Sequence, residues 1–179
     1  KEERTMDLNG KKALTIVHYD FDDLEFWYPK LRLEEEGMMV EVAGEKATTT
    51  YTGKKGLPAM AEIDFGSVDP AEYVAILIPG GWAPDKLRRF DEIKSIVRTM
   101  NADGKLICEI CHAGWVLISA GILNGKRVTS TPGIRDDMTN AGATWVNEPV
   151  VADGNIISAR RPPDLPAYLR TIIGELKKR

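Results

Sequence analysis

Apolar segments of two kinds alternate along this chain. Short, continuous apolar runs rich in β-branched residues are typical of buried parallel strands, and apolar residues at every third or fourth position are typical of helices. The strand-like runs are residues 12–19, 38–43, 73–79 and 105–111, and the helix-like segments are residues 24–37, 91–104, 112–123, 134–142 and 163–178. The alternation predicts a mainly parallel sheet with helices on both faces.

Two further segments have a turn signal. Residues 48–56 are predicted to form an extended piece with a turn, and residues 149–158 a hairpin that turns at Asp153–Gly154. A hairpin this late in the chain predicts a mixed edge for the sheet. Binding and catalytic sites of such sheets lie at the carboxyl ends of the strands. Three predicted strands end in suggestive residues, at 18–23, 79–81 and 111–112.

Length and composition predict a single soluble domain. The chain has 179 residues, of which 43% are apolar and 28% charged, and its net charge of −3 argues against nucleic acid or an anionic membrane as a partner. No apolar run is long enough to span a membrane. Residues 1–10 are predicted to be a polar extension before a domain at 11–178. With only two cysteines, a reducing cytoplasm fits best.

Both cysteines lie in one C-x-x-C motif, Cys108 and Cys111. A redox pair is disfavoured, because Cys108 lies inside a predicted strand and three extended residues span about 10 Å. A disulfide needs Cα atoms about 4.4–6.8 Å apart. Structural zinc is disfavoured as well, since His18 and His112 are the only histidines that could complete the site. We therefore expect no metal.

A third interpretation makes Cys111 a nucleophile at a sharp turn between strand and helix. The N-terminus of a helix lowers the pKa of a thiol and offers backbone N–H groups to a developing oxyanion. The small residues Ala113 and Gly114 allow such a turn. The alternative is a buried apolar cysteine beside an incidental histidine, and the residues alone leave both open.

Three stretches identify a family resemblance. They are "LIPGGWAPDKLR", "ICHAGWVLISAGILNGKRVTSTPGIRDDMTNAGATWV" and "VVADGNIISARRPPDLPAYLR". They resemble the PfpI intracellular protease family, whose superfamily includes the parkinsonism-associated deglycase and glyoxalase III. The resemblance runs from about residue 11 to 177 in one register. It implies a flavodoxin-like three-layer α/β sandwich of the kind found in class I glutamine amidotransferases.

The resemblance also implies an active site. Cys111 would be the nucleophile and His112 its neighbour, with the backbone N–H groups of Gly81 and His112 as the oxyanion hole. A carboxylate after the first strand would hydrogen-bond the sulfur, and the matching residue is Asp22. A second carboxylate, from an adjacent subunit, would orient the histidine, and here it is Asp85. The implied protein is a homo-oligomer, dimer or hexamer, with a site shared between subunits.

Several positions depart from the family pattern. Asp22 and Asp85 stand where Glu is usual, and each shortening withdraws the carboxylate by roughly 1.5 Å, over which a hydrogen bond is lost unless a water bridges. Glu109 stands where a small residue is usual, and strand alternation would put it on the face of Cys111. We hypothesise that Glu109 partly replaces Asp22 at the thiol; the alternative is an ion pair with a surface arginine. Trp82 and Trp115 are candidate pocket walls.

The resemblance implies a cysteine hydrolase, an intracellular peptidase, that attacks the carbonyl carbon of a peptide or small molecule without a cofactor. One alternative is a glyoxalase or deglycase, in which Cys111 adds to a 2-oxoaldehyde and Asp22 or His112 moves a proton between carbons. Another is a non-enzymatic redox or stress sensor, in which Cys111 is oxidised.

Overall fold

Seven strands form one central sheet in the computed structural model, which describes residues 6–179. The strands are β1 (Lys12–Ile16), β2 (Met39–Gly44), β3 (Thr50–Thr52), β4 (Pro58–Met60), β5 (Ile63–Asp64), β6 (Ala75–Ile78), β7 (Leu106–Ile110), β8 (Arg127–Val128), β9 (Thr144–Trp145), β10 (Val150–Asp153) and β11 (Ile156–Ala159). The helices are α1 (Asp23–Glu35), α2 (Ala83–Leu87), α3 (Asp91–Ala102), α4 (Gly114–Ala120), α5 (Arg135–Asn140) and α6 (Leu165–Lys177). The sheet order is β10-β11-β7-β6-β1-β2-β5.

All neighbouring strands of this sheet are parallel except β10, which pairs antiparallel with β11. The predicted parallel sheet with a late hairpin at its edge is thereby confirmed. The hairpin turns at residues 154–155, one residue later than predicted, with Gly154 in the left-handed region at φ 61°. Two small pairs, β3 with β4 and β8 with β9, lie outside the central sheet.

Helices cover both faces of the sheet. On one face Val97 of α3 and Leu117 of α4 pack in a cluster with Ile107 of β7. On the other face Leu33 of α1 and Leu169 of α6 belong to a second cluster, which contains Cys108 of β7. Successive residues of one strand thus enter different cores, because side chains alternate across a sheet. The architecture is the expected flavodoxin-like α/β sandwich.

Three loops meet at the carboxyl edge of the sheet because β1, β6 and β7 are parallel neighbours. They are the loops after β1, after β6 and after β7. An isolated bridge joins Phe21 to Gly81 across the first two loops. The β3–β4 hairpin is tied to the first loop, since Asp20 N donates to Thr52 O at 2.9 Å. The predicted strand ends therefore converge on one place.

Some features differ from the sequence predictions. The helix predicted over 112–123 begins as a 3-10 turn, Cys111–Ala113, before α4. Part of the predicted polar extension contributes to the core, since Leu8 is buried in the cluster with α6; residues 1–5 lie outside the described part. No helix within residues 6–179 is long and apolar enough to cross a membrane.

Candidate active site

The turn after β7 holds Cys111 in an unusual backbone conformation. Its φ is 64°, in the left-handed region that non-glycine residues rarely adopt. The carbonyl of Cys111 accepts a hydrogen bond from Thr131 N at 3.2 Å. Strain of this kind costs on the order of 1–3 kcal/mol and is concentrated at functional sites. The turn thus presents Cys111 in the manner expected of a reactive side chain.

The sulfur of Cys111 is surrounded by donors. It lies 3.3 Å from Nδ1 of His112, and the backbone N–H groups of Gly81 and His112 donate to it. Burial, and next the charge of Glu25, raise the pKa of Cys111 to about 12, while the two amides lower it. The structure therefore brings together three of the predicted site residues, Cys111, His112 and Gly81.

The carboxyl group beside this thiol belongs to Glu25, a residue that the sequence analysis missed. Glu25 lies in the first turn of α1 and is 2% exposed. Its Oε2 accepts a hydrogen bond from Gly80 N at 2.8 Å, and it interacts with the Cys111 thiol. Burial, and next the charge of Asp22, raise the pKa of Glu25 to about 8. The carboxyl group is thus poised to exchange a proton near neutral pH.

Asp22 occupies a different position from the one predicted. It is the N-cap of α1, where its Oδ1 accepts from Leu24 N at 3.1 Å and from Glu25 N at 3.2 Å. Its Oδ2 forms an ion pair with Lys54 at 2.9 Å. Asp22 is an acidic N-cap and Glu25 is the residue at position N3, which is the spacing of a capping box. That spacing is the signal in "DFDDLE" that could have separated the cap from the buried carboxyl.

Glu109 does not take either of its two predicted positions. The left-handed turn breaks the strand alternation, so that Cys111 packs in the same cluster as Cys108 and Ile110. Glu109 is fully buried, and no ion pair to it exists within residues 6–179. Both of its carboxyl oxygens lack a hydrogen-bond partner among the described residues. Burial, and next the charge of Glu25, hold its pKa well above the usual range, so Glu109 is a neutral acid.

Two tryptophans flank the imidazole of His112. Its ring centroid lies 5.2 Å from that of Trp82 and 5.1 Å from that of Trp115. Trp115 donates from Nε1 to Asp137 at 2.9 Å. Burial, and next the charge of Lys54, lower the pKa of His112, which keeps the ring neutral and able to accept a proton. A groove of about 410 Å³ continues from the site along Arg88, Trp115, Ile118, Asp137, Asn140 and Ala141.

Within residues 6–179, no ion pair joins Asp85 to His112 of the same chain. Asp85 lies in α2, where it forms an ion pair with Arg89 one turn later. Orientation of His112 by Asp85 of another subunit therefore stays a prediction. Cys108 and Cys111 are both free thiols. Cys108 is fully buried, and burial raises the pKa of Cys108 far above the usual range.

Fold and site together define an α/β sandwich in which a cysteine ends a central strand beside a histidine and a buried carboxyl group. The model of the DJ-1/PfpI family matches residues 11–175, and the chain belongs to this family. The sequence resemblance is thereby confirmed.

Relatives of known name share nearly the whole domain. A deglycase of Pyrococcus horikoshii is 44% identical over 166 residues, which are 93% of this chain and 99% of the relative. The deglycase PfpI of Pyrococcus furiosus is 43% identical over 167 residues, with the same coverage of both chains. These relatives are named for deglycation, and none of these names denotes a peptidase.

Solved structures agree with the fold. The DJ-1beta protein of Drosophila melanogaster superposes with a TM-score of 0.88 at 26% identity, over 95% of this chain and 92% of that one. A protein of Anabaena variabilis with DJ-1/ThiJ/PfpI-like and ferritin-like domains superposes with a TM-score of 0.91 at 36% identity. The match covers 93% of this chain and 48% of that longer one.

Proposed function

We propose that this protein is a cofactor-independent deglycase, which acts on the adducts of 2-oxoaldehydes with amines or thiols. The observation that carries the proposal is the triad around one sulfur. Cys111 lies 3.3 Å from the imidazole of His112 and beside the carboxyl group of Glu25, whose pKa of about 8 suits proton transfer. The names of the archaeal relatives support this activity over peptide hydrolysis.

The first step exchanges the amine for the enzyme thiol. The adduct is an aminocarbinol, in which one carbon carries both a hydroxyl group and the amine nitrogen. As the C–N bond breaks, the nitrogen takes a proton and the hydroxyl group loses one, which frees the amine and an aldehyde. The Cys111 thiolate then adds to the aldehyde carbon to form a hemithioacetal. The amides of Gly81 and His112, which donate to the sulfur, would stabilise the oxyanion that forms beside it.

The second step moves a proton between two carbons. A base removes the proton from the hemithioacetal carbon, an enediol forms, and a proton returns to the neighbouring carbon. The product is a thioester of a 2-hydroxy acid, which water hydrolyses to release the acid and the thiol. One water is consumed and there is no net oxidation. Glu25 and neutral His112 are the two groups beside the sulfur that can carry these protons.

The shared site is part of the proposal. We propose a homo-oligomer in which Asp85 of one subunit orients His112 of another. What supports it is that the side chain of Asp85 is 51% exposed and, among residues 6–179, pairs with Arg89 one turn later. The exposed indole of Trp82, three residues before Asp85 in the chain, packs against His112 with 5.2 Å between the ring centroids.

The experiment follows adduct loss directly. The purified protein is incubated with the methylglyoxal adducts of N-acetylcysteine and of N-acetylarginine in a buffer free of amines. Release of free thiol or guanidine and formation of lactate are both measured, and the adduct must disappear faster than it dissociates spontaneously. Cys111→Ala should abolish turnover, whereas Cys108→Ala, the matched cysteine control, should retain it.

The outcomes separate the alternatives. If the protein forms lactate from free methylglyoxal but the adduct is lost no faster than it dissociates spontaneously, the activity is that of a glyoxalase and not of a deglycase. Cleavage of a fluorogenic peptide that depends on Cys111, without adduct turnover, would overturn the proposal in favour of the peptidase interpretation. Absence of both activities, together with stoichiometric oxidation of Cys111 by peroxide, would favour a sensor.

A further inference from the structure

We propose that Lys54, which lies in the turn of the β3–β4 hairpin, is a positioning residue that supplies the positive charge favouring the Cys111 thiolate, and that Asp22 anchors it there. The inference rests on the proposed function only in that Cys111 is the reacting group. It gives a role to the β3–β4 hairpin and to Asp22, which caps α1 instead of hydrogen-bonding the Cys111 sulfur as predicted.

The loop that carries Lys54 is fixed to the site through its backbone. Lys54 N donates to Phe21 O at 2.9 Å, in the loop after β1. The carboxylate of Asp23 accepts from Lys55 N and from Leu57 N, each at 2.8 Å. Gly53 lies so close to this carboxylate that a Cβ there would come within 2.6 Å of Asp23 Oδ1. The hairpin tip is therefore docked onto the first turn of α1.

The side chain of Lys54 is fixed as well. Its Nζ lies 2.9 Å from Oδ2 of Asp22, and the Lys54 side chain is only 34% exposed. Asp22 is itself immobilised, since its other oxygen caps α1. An ion pair between a buried, hydrogen-bonded carboxylate and a partly exposed lysine side chain costs little further ordering of the carboxylate, which distinguishes it from an ordinary surface pair. Asp22 thus holds the ammonium group of Lys54, and the adjacent Asp23 holds the backbone of the same loop.

Lys54 is held close to the reacting groups, because its partner Asp22 donates from its backbone N to Gly80 O at 3.0 Å and Gly80 packs against both Cys111 and Glu25. The groups that face the sulfur are Glu25 from α1, Lys54 from the hairpin and His112 from the turn itself, with neutral Glu109 on β7 adjoining Glu25. Burial and the charge of Glu25 raise the pKa of Cys111, whereas Lys54 lowers it. The same ammonium lowers the pKa of Glu25 and of His112. One cation therefore favours the thiolate and a neutral imidazole together.

The test measures the thiol without using a substrate. Alkylation of Cys111 by iodoacetamide is followed by intact mass from pH 6 to 11 for the wild type, Lys54→Gln and Lys54→Arg. Lys54→Gln should move the whole rate profile to higher pH and slow alkylation at pH 7.5 by about threefold to tenfold. Lys54→Arg keeps the charge and should restore most of the rate. In Lys54→Gln, the rate of alkylation by iodoacetate, an anion, should fall more than the rate of alkylation by iodoacetamide.

Lys86 provides the matched control. Its side chain is also 34% exposed and pairs with Asp20 at 2.7 Å, in the neighbouring part of the same loop. Lys86→Gln should leave the alkylation profile unchanged. The proposal is overturned if the Lys54→Gln profile superimposes on that of the wild type, or if Lys86→Gln produces the same shift.

A second variant guards against a folding defect. Asp22→Asn keeps an N-cap oxygen but removes the charge that holds Lys54, so it should give a shift in the same direction when the thermal unfolding midpoint is close to wild type. An unchanged profile in a folded Asp22→Asn protein would contradict the anchoring role. Because alkylation needs no adduct, a protein without deglycase activity can still show these shifts, and an active deglycase can lack them.

Discussion

Nδ1 of His112 lies 3.3 Å from the sulfur of Cys111, although the two residues are adjacent in the chain. Neighbouring side chains of a regular strand point to opposite faces. The contact exists because Cys111 adopts a φ of 64°, which ends the strand and lets both side chains meet at the edge of the sheet. Burial keeps the imidazole neutral, so it can accept a proton from the thiol or from the substrate carbon.

This relationship predicts the effect of His112→Gln. Glutamine preserves the hydrogen-bonding capacity but cannot carry a proton, so deglycase kcat should fall by about 100-fold or more. The pH dependence should lose its acidic limb, which in the wild type lies below the ordinary pKa of histidine, because the folded protein lowers that pKa. Steady-state rates between pH 5 and 9 test both statements. An unchanged acidic limb in His112→Gln would assign that limb to another group.

Glu25→Gln should separate reactivity of the thiol from turnover. Glutamine retains the acceptor for Gly80 N but carries neither charge nor a transferable proton. Turnover should fall by about 100-fold or more. The charge of Glu25 raises the pKa of Cys111. Above about pH 8, where Glu25 is ionised in the wild type, the Glu25→Gln variant should therefore be alkylated faster than the wild type at the same pH. A parallel loss of turnover and alkylation would show instead that Glu25 serves the fold. Asp22→Asn is the neighbouring control and should retain more turnover.

Gly80 is predicted to be irreplaceable. A Cβ at this position would come within 2.7 Å of Cys111 Cβ and would also collide with the carboxylate of Glu25. Gly80→Ala should therefore displace the carboxyl group from the thiol and destabilise the fold by about 1–3 kcal/mol. Gly133→Ala is the matched control, because its Cβ would meet nothing within 4 Å. Urea unfolding and deglycase assays on both variants check the expectation, which fails if Gly80→Ala is as active as Gly133→Ala.

Much of this arrangement could be predicted from the sequence, because it depends on local patterns. Apolar runs revealed the strands, and the motif around Cys111 revealed the cysteine–histidine pair. The partner carboxyl was misplaced because Asp22 and Glu25 lie one helical turn apart. The position of the α1 N-terminus decides which one caps the helix and which enters the core, and the capping-box spacing is its one sign in the sequence. Lys54 was missed because it reaches the site through a hairpin more than thirty residues along the chain from its partner Asp22, and no local pattern carries that contact.

The shared site makes a prediction that needs two inactive proteins. Cys111→Ala and Asp85→Asn should each have little activity if Asp85 orients His112 across the interface. When the two are unfolded together and refolded, half of the dimers are mixed, and each mixed dimer holds one complete site. Activity should return to about a quarter of the wild-type value. Refolding each variant alone is the control. A mixture no more active than its parts would place Asp85 in its own subunit's site or outside catalysis.

Glu109 should make stability depend on pH. The ordinary pKa of its carboxyl is 4.5, and burial holds the folded-state pKa well above this value. Below pH 4.5 both the folded and the unfolded chain hold the proton, whereas above it only the folded chain does. The free energy of unfolding therefore falls as the pH rises, by up to about 1.4 kcal/mol per pH unit for one such group.

Glu109→Gln removes this titration while keeping the shape and a neutral side chain. The variant should match the wild type near pH 4.5 and exceed it increasingly towards pH 8, by about 1 kcal/mol or more. Urea unfolding at several pH values measures the difference, with Glu92→Gln as the exposed control. The slope contributed by Glu25 should remain in Glu109→Gln up to about pH 8, since the folded-state pKa of Glu25 is also raised. A constant offset between Glu109→Gln and the wild type at all pH values would mean that Glu109 is already ionised in the folded protein. Its two unpartnered oxygens and complete burial argue against that state.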